Sequence, residues 1–166
     1  RGAEGTERIR AGGMNGNETG TQHEYVTAQI CGQLIGLPIL RVQDVFIPEG
    51  LTRVPLAPRE IAGVLNLRGR IVTVIDMRRR LGLGADGAAE APLAIGVELR
   101  GESYGLLIDA IGEVLKLDPN ARESNPLNLD PRLARVSTGI HRLNEQLLMI
   151  VDVDRILDIA VDSMAA

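Results

Sequence analysis

Short runs of apolar residues, separated by turn-forming residues, recur along most of the chain. Residues 94–99 (AIGVEL) are apolar at every second position, which is typical of a strand with one buried face. Residues 71–75 (IVTVI) are uncharged and rich in β-branched side chains, which predicts a strand buried on both faces. Residues 152–164 carry apolar side chains at the spacing of one helix face. The pattern predicts a mainly β protein with a C-terminal helix.

The same order of elements occurs twice. Residues 32–45 (GQLIGLPILRVQDV) align without a gap with 101–114 (GESYGLLIDAIGEV), and 64–81 align with 140–157 once an insertion is allowed within 116–138. An internal repeat of this kind indicates two copies of one structural unit. Each copy predicts about five short strands, which favours a small barrel, and a short helical turn after a proline, at 58–62 and at 131–134.

The repeat divides the chain into consecutive segments. Residues 1–22 hold six glycines and few apolar residues, and are predicted to be disordered. The predicted segments are a tail (1–22), a domain over 24–160 made of a first lobe (about 24–81), a Gly/Ala/Pro-rich linker (82–92) and a second lobe (about 93–151), and a helix (152–164).

Composition excludes several classes of function. The net charge is −4, aromatic residues make up 2% and Lys116 is the only lysine, so the chain lacks the basic and aromatic surface of a nucleic-acid-binding module. No apolar run approaches the ~20 residues of a membrane span, so direct membrane insertion is not expected. Cys31 is the only cysteine, which excludes an internal disulfide framework. These features favour a cytoplasmic protein.

Catalytic and cofactor motifs are not found in the sequence. It contains no phosphate-binding glycine motif, and two histidines with Cys31 cannot build a Cys/His zinc site. We therefore expect no cofactor and no metal. Asp76 and Asp152, one in each copy, raise the possibility of a two-lobed carboxylate-dyad hydrolase, but both stand where a strand passes into a helix, and N-capping explains them without catalysis.

Three segments together carry a family resemblance. GVLNLRGRIVTVIDMRRRL (63–81), IGLPILRVQDV (35–45) and GLLIDAIGEVL (105–115) resemble motifs of the CheW family of bacterial chemotaxis coupling proteins, in the family's order, over about residues 24–160. The resemblance implies two packed five-stranded SH3-like β-barrel lobes with short helices. It implies a non-catalytic adaptor that couples the cytoplasmic tips of methyl-accepting chemoreceptors to the regulatory domain of the histidine kinase CheA. Such an adaptor is cytoplasmic and is recruited to membrane-associated chemoreceptor arrays.

The resemblance also implies binding residues. The receptor-binding residues on the first lobe are Asn66, Leu67, Arg68, Gly63 and Val42. Two further receptor-binding residues, Gly105 and Val114, are expected to face them from the second lobe. The kinase-binding set lies on the outer edge of the first lobe: Val42, Asp44 and Val45.

Arg68 has two interpretations. Arg68-Gly69 and its counterpart Asn144-Glu145 are predicted to form two-residue hairpin tips. Because the second copy has asparagine where the first has Arg68, the repeat itself does not require an arginine. Arg68 is therefore available for recognition of a carboxylate or carbonyl on a partner, the alternative being an exposed turn residue without a partner.

Other functions remain open at the level of sequence. The chain is alternatively a CheW-like regulatory module of a larger chemotaxis protein, or the coupling half of a fusion with a receiver domain, although its length favours one complete domain. The third alternative is an OB/SH3-like nucleic-acid binder.

Overall fold

The computed structural model describes residues 23–84 and 91–158. Its strands are β1 (His23–Ile30), β2 (Gln33–Pro38), β3 (Asp44–Phe46), β4 (Ile61–Leu67), β5 (Arg70–Asp76), β6 (Leu93–Leu99), β7 (Glu102–Ile108), β8 (Ala110–Leu117), β9 (Ser137–Arg142) and β10 (Leu147–Val151). The helices are α1 (Met77–Leu81) and α2 (Pro131–Val136), with 3₁₀ turns at Ile39–Arg41 and Pro119–Ala121 and a helical segment over 153–158.

Several predicted segments fall only partly within these residues. The C-terminal helix is present over 153–158, and its remaining residues lie outside the described ranges. The tail over 1–22 and most of the linker over 82–92 also lie outside them. The helical turn predicted after Pro58 is a hydrogen-bonded turn without a helix, whereas the one after Pro131 is α2.

The strands form two five-stranded sheets of equivalent topology. Sheet A has the order β8–β1–β2–β10–β9, and sheet B has the order β3–β6–β7–β5–β4. Each sheet contains one parallel pair, β10 with β2 in sheet A and β5 with β7 in sheet B, and its other pairs are antiparallel. The predicted fold class, mainly β with two five-stranded units from a repeat, is confirmed.

The two sheets do not coincide with the predicted lobes. Sheet A combines β1 and β2 with β8, β9 and β10, whereas sheet B consists of β3 to β7. The lobe boundaries predicted at 24–81 and 93–151 are therefore wrong for the sheets. The chain passes from sheet A to sheet B through Ile39–Arg41 and returns through Asp109. Aligning two copies identifies equivalent strands, but it does not reveal which copy supplies the neighbouring strand.

Asp109 ties the two sheets together at the return crossing. Its carboxylate accepts two hydrogen bonds from the Arg78 guanidinium of α1, at 3.1 and 2.9 Å, and one from the Cys31 amide at the β1–β2 turn, at 2.7 Å. Burial raises the pKa of Asp109, but the hydrogen bonds and the charge of Arg78 outweigh it, so the pKa lies below its ordinary value.

Buried side chains form one shared core and two smaller clusters. The largest cluster takes residues from both sheets, both helices and the 153–158 segment. An outer cluster on sheet A contains Tyr25, Leu34, Leu148 and Ile150, and an outer cluster on sheet B contains Leu65, Val72 and Val74. β5 contributes Ile75 to the shared core and Val72 and Val74 to an outer cluster, so the prediction of a strand buried on both faces is confirmed.

The two repeated aspartates are N-caps. The Asp76 carboxylate accepts hydrogen bonds from the amides two and three residues ahead, at 3.0 and 3.3 Å, and the Asp152 carboxylate does the same at 2.9 and 3.3 Å. Each therefore satisfies free donors in the first turn of a helix. The capping interpretation of the sequence is confirmed.

The arginine run that follows Asp76 is not a uniformly solvated face. Arg80 is buried and donates to the carbonyls of Ile156 and Arg155, at 3.0 and 2.8 Å. It thereby satisfies carbonyls in the 153–158 helical segment and fixes that segment against α1. Periodicity could not reveal this contact, because the residues lie far apart in sequence.

The described residues include no helix that is both long and apolar enough to span a membrane.

Gly63 and its repeat counterpart Gly139 occupy matching β-bulges. Their φ angles are +154° and +150°, and the strand register shifts immediately before each of them. A Cβ on Gly63 would collide with the backbone carbonyl of Thr52, which pairs with Val64 through two 2.8 Å hydrogen bonds. Gly63 is therefore required by the backbone.

We expect Gly63→Ala to lower the free energy of unfolding by about 2–4 kcal/mol, from backbone strain and the clash with Thr52. Gly101→Ala is the control, because Gly101 also has a positive φ but no atom lies within 4 Å of an added Cβ; its expected loss is about 1 kcal/mol. Urea unfolding of both variants measures the difference, and equal losses would contradict the role assigned to the bulge.

His141 stands in the sheet A position that corresponds to Leu65 of sheet B. It is buried, its Nε2 has no hydrogen-bond partner among the described residues, and its ring lies 6.4 Å from that of Tyr25. Burial lowers its pKa and Arg122 lowers it further, whereas Asp118 and Glu123 oppose the shift.

Because the folded-state pKa of His141 lies below the ordinary value of 6.5, the unfolded chain takes up a proton first as the pH falls. We expect the free energy of unfolding to decrease from about pH 7 to pH 5, by about 1.4 kcal/mol for each unit of difference in pKa. His141→Leu should flatten this decrease in urea titrations at several pH values. A decrease that persists unchanged in His141→Leu would assign it to other groups.

Candidate functional site

The β4–β5 hairpin projects Arg68 at a tight two-residue turn. Arg68 and Gly69 have φ angles of +55° and +82°, the positive pair that a type I′ turn requires. The Asn66 side-chain oxygen accepts a hydrogen bond from the Gly69 amide at 2.9 Å. The predicted tip at Arg68-Gly69 is confirmed. At its counterpart, the Leu143 amide donates to the Gln146 carbonyl at 2.9 Å across the predicted tip Asn144-Glu145, beyond the strand ends at Arg142 and Leu147.

A cleft of about 400 Å³ lies beside this tip and extends across sheet B to its opposite edge strand, β3. Its lining combines two guanidinium groups, one carboxylate, neutral polar groups and an apolar surface: Gln43, Asp44, Phe46, Leu67, Arg68, Arg70, Val72, Gly96, Ser103 and Tyr104. Arg70 donates to the Ser103 hydroxyl at 3.2 Å. Tyr104 is buried and also packs in the shared core, and this burial raises the pKa of its hydroxyl.

Two small residues distinguish this cleft from the equivalent surface of sheet A. Gly96 on β6 and Ser103 on β7 correspond by the repeat to Thr27 on β1 and Leu34 on β2, both of which are buried. A Cβ on Gly96 would collide with the Asp44 carboxylate, so glycine allows Asp44 to lie over β6. In sheet A, Leu34 instead packs in the outer cluster. The cleft of sheet B therefore lies at a position that Leu34 fills on sheet A.

The cleft brings together part of the residues proposed from sequence. Leu67 and Arg68 from the receptor-binding set and Asp44 from the kinase-binding set all line it. Asn66 lies at its edge, where it braces the turn. Residues far apart in sequence thus meet on sheet B.

The other proposed residues lie elsewhere. Gly63 is buried at its bulge, and Gly105 is buried behind Phe46, whose ring lies 3.0 Å from the position of a Cβ on Gly105. Val42 is half-buried against the shared core. Val45 and Val114 are exposed, at 42% and 50%.

The expectation that Gly105 and Val114 face the first group from one opposing lobe is wrong. Gly105 belongs to β7 in sheet B, the sheet that carries Arg68, and only Val114 belongs to sheet A, on its edge strand β8. This is a consequence of the strand exchange, which assigns β7 and β8 to different sheets although they are adjacent in sequence.

Sequence reasoning missed the residues that shape the cleft from β3, β5 and β7. Phe46 is the only phenylalanine of the chain, and Arg70 follows the hairpin tip directly. Those features were visible, but nothing in the sequence placed them near Ser103 or Tyr104. The differences between Ser103 and Leu34 and between Gly96 and Thr27 in the repeat alignment were the signals that could have indicated a local opening.

Comparison with known proteins identifies relatives for most of the chain. A CheW-like domain family matches residues 24–161. The chain is 30% identical to a chemotaxis protein CheW of Helicobacter pylori over 134 residues, covering 78% of this chain and 81% of that protein. It is 26% identical to the Bacillus subtilis chemotaxis protein CheW over 141 residues, covering 85% and 90% respectively.

A solved structure agrees with these relatives. The crystal structure of the scaffolding protein TtCheW from Thermoanaerobacter tengcongensis superimposes with a TM-score of 0.72 at 30% identity, covering 82% of this chain and 92% of that one. The family match spans both sheets, the cleft and the NLRG hairpin tip. On these grounds the chain belongs to the CheW-like family.

Proposed function

We propose that this chemotaxis adaptor couples the cytoplasmic tips of methyl-accepting chemoreceptors to the regulatory domain of the histidine kinase CheA. The chain is a non-catalytic scaffold of the CheW family, as its relatives are chemotaxis and scaffolding proteins. The observation that carries the proposal is the cleft of sheet B, where an arginine on a braced hairpin tip stands beside apolar side chains.

The receptor would bind at this cleft. Leu67 and Phe46, both half-buried, offer apolar contact area, and Arg68 adds a guanidinium with several donors. An amphipathic helix carries apolar and acidic side chains at spacings that match such a surface. Val114, exposed on sheet A, would be a separate part of the same receptor surface.

The kinase would bind at the edge formed by β3. Asp44 and Phe46 point toward the cleft, whereas Val45 lies on the other face of the strand and is exposed, because successive side chains of a strand alternate. Among the described residues β3 pairs only with β6, so its other edge is available. A three-residue strand would then lie between the two partners, and both would bind one rigid body.

Weak individual contacts suffice for this role. Repeated adaptors and kinases that bind neighbouring receptors raise the effective concentration of each contact, so an array is stable without tight pairwise binding. The adaptor would be cytoplasmic and recruited to membrane-associated receptor arrays.

Arg68→Asp should weaken binding to a receptor-tip fragment by at least about tenfold, because the new carboxylate would repel the acidic side chain that we expect on the partner. Binding to the kinase regulatory domain should be retained, since Val45 lies on the face of β3 that points away from the cleft. Titration calorimetry with each fragment, and recruitment of kinase to receptor-containing membranes, measure the two effects.

Arg100→Asp is the matched control. Arg100 is exposed and occupies the same position of an Xaa-Gly turn, between β6 and β7, with a φ of +53°. The control should bind both partners as the wild type does. Full recruitment of kinase by Arg68→Asp, or equal losses in the two variants, would refute the receptor role of the tip.

A further inference from the structure

Three hairpins of this protein use the same kind of turn, and one of them has an added brace. Cys31-Gly32, Arg68-Gly69 and Arg100-Gly101 have φ angles of +50° and +81°, +55° and +82°, and +53° and +81°. Their backbones are therefore equivalent, and differences between them arise from side chains.

The brace acts on an amide that the strand ladder leaves free. Leu67 and Arg70 pair across the end of the β4–β5 ladder, and the amide of the second turn residue, Gly69, takes no part in the bond that closes a type I′ turn. The Asn66 side-chain oxygen accepts from this amide at 2.9 Å. Asparagine side chains are suited to such local bonds to the backbone.

The corresponding residues of the other two turns do not brace them in this way among the described hydrogen bonds. The residue two positions before the first turn residue is Gln29 in one hairpin and Glu98 in the other. The Glu98 carboxylate accepts instead from the Gln43 side chain at 2.7 Å. The brace is thus specific to the tip that borders the cleft.

Arg68 needs such support more than a glycine would. A non-glycine residue in the left-handed region is disfavoured by contact between its Cβ and the backbone, so alternative tip conformations compete with the type I′ turn. Loss of the bond to Gly69 would let the tip populate those conformations, and Arg68 would no longer be held at the border of the cleft.

We propose that Asn66 is a positioning residue: through its side-chain oxygen it holds the Arg68-Gly69 turn in the conformation that presents Arg68 to the receptor, and its amide NH₂ is not a contact to the partner. This inference rests on the proposed function. It gives Asn66 and Arg68 different roles, although the family resemblance places both in the receptor-binding set.

The test uses Asn66→Leu, which has a similar shape but no acceptor, and Asn66→Asp, which keeps the oxygen and loses the NH₂. Gln29→Leu is the matched control, at the same position relative to the Cys31-Gly32 turn, which lacks this local bond and is held instead by Asp109 at the Cys31 amide. Amide hydrogen exchange at Gly69, followed by NMR, reports the brace directly. We expect exchange to accelerate about three- to tenfold in Asn66→Leu and to remain slow in Asn66→Asp and Gln29→Leu.

Binding to a receptor-tip fragment is then measured in a double-mutant cycle with Arg68→Ala. We expect Asn66→Leu to weaken binding about three- to tenfold when Arg68 is present and to have no further effect when it is absent. A direct contact by Asn66 would instead cause the same loss in both backgrounds, and that result would overturn the proposal, as would unchanged exchange at Gly69 in Asn66→Leu.

Failure of the proposed function gives a different result. A wild-type chain that does not bind the receptor fragment overturns the coupling function together with the binding part of this inference. Gly69 exchange still decides whether Asn66 holds the turn.

Discussion

Neither copy of the repeat forms a five-stranded sheet by itself. The chain changes sheets at Ile39–Arg41 and again at Asp109, so each sheet contains strands from both copies. The shared core between the sheets is therefore built from distant parts of the sequence. Asp109, held by Arg78 and the Cys31 amide, stands at one of these crossings. The relative position of the two sheets, and of every surface they carry, depends on this exchange. It joins both sheets to one shared core.

The two copies of the repeat share their β-bulges and N-caps and differ in the side chains on their outer faces. Gly63 and Gly139 form the same bulge, and Asp76 and Asp152 form the same N-cap. Side chains on the outer faces differ, because a change there leaves the shared core intact. Sheet A has Leu34 where sheet B has Ser103 in its cleft, and it has His141 where sheet B has Leu65. The two sheets thus share one topology and differ in their outer surfaces.

The cleft links the two proposed partners through a short path. β3 directs Asp44 and Phe46 toward the cleft and Val45 away from it, and the hairpin tip with Arg68 borders the same cleft from the other side of sheet B. A partner bound at either face would rest on the same few residues. Small, buried glycines such as Gly105 matter to this surface because they leave room for Phe46.

The sequence by itself determined the features that depend on a few neighbouring residues: the repeat, the caps at Asp76 and Asp152, the Arg68-Gly69 turn and the doubly buried strand β5. Each follows from local backbone geometry or from the alternation of side chains, which the order of residues records directly. Only the tertiary structure decided the strand exchange, the burial of Arg80 and the meeting of Asp44, Arg68 and Ser103 in one cleft. The physical reason is that strand pairing is non-local. The alignment of the two copies would be identical whether each sheet were built from one copy or from both.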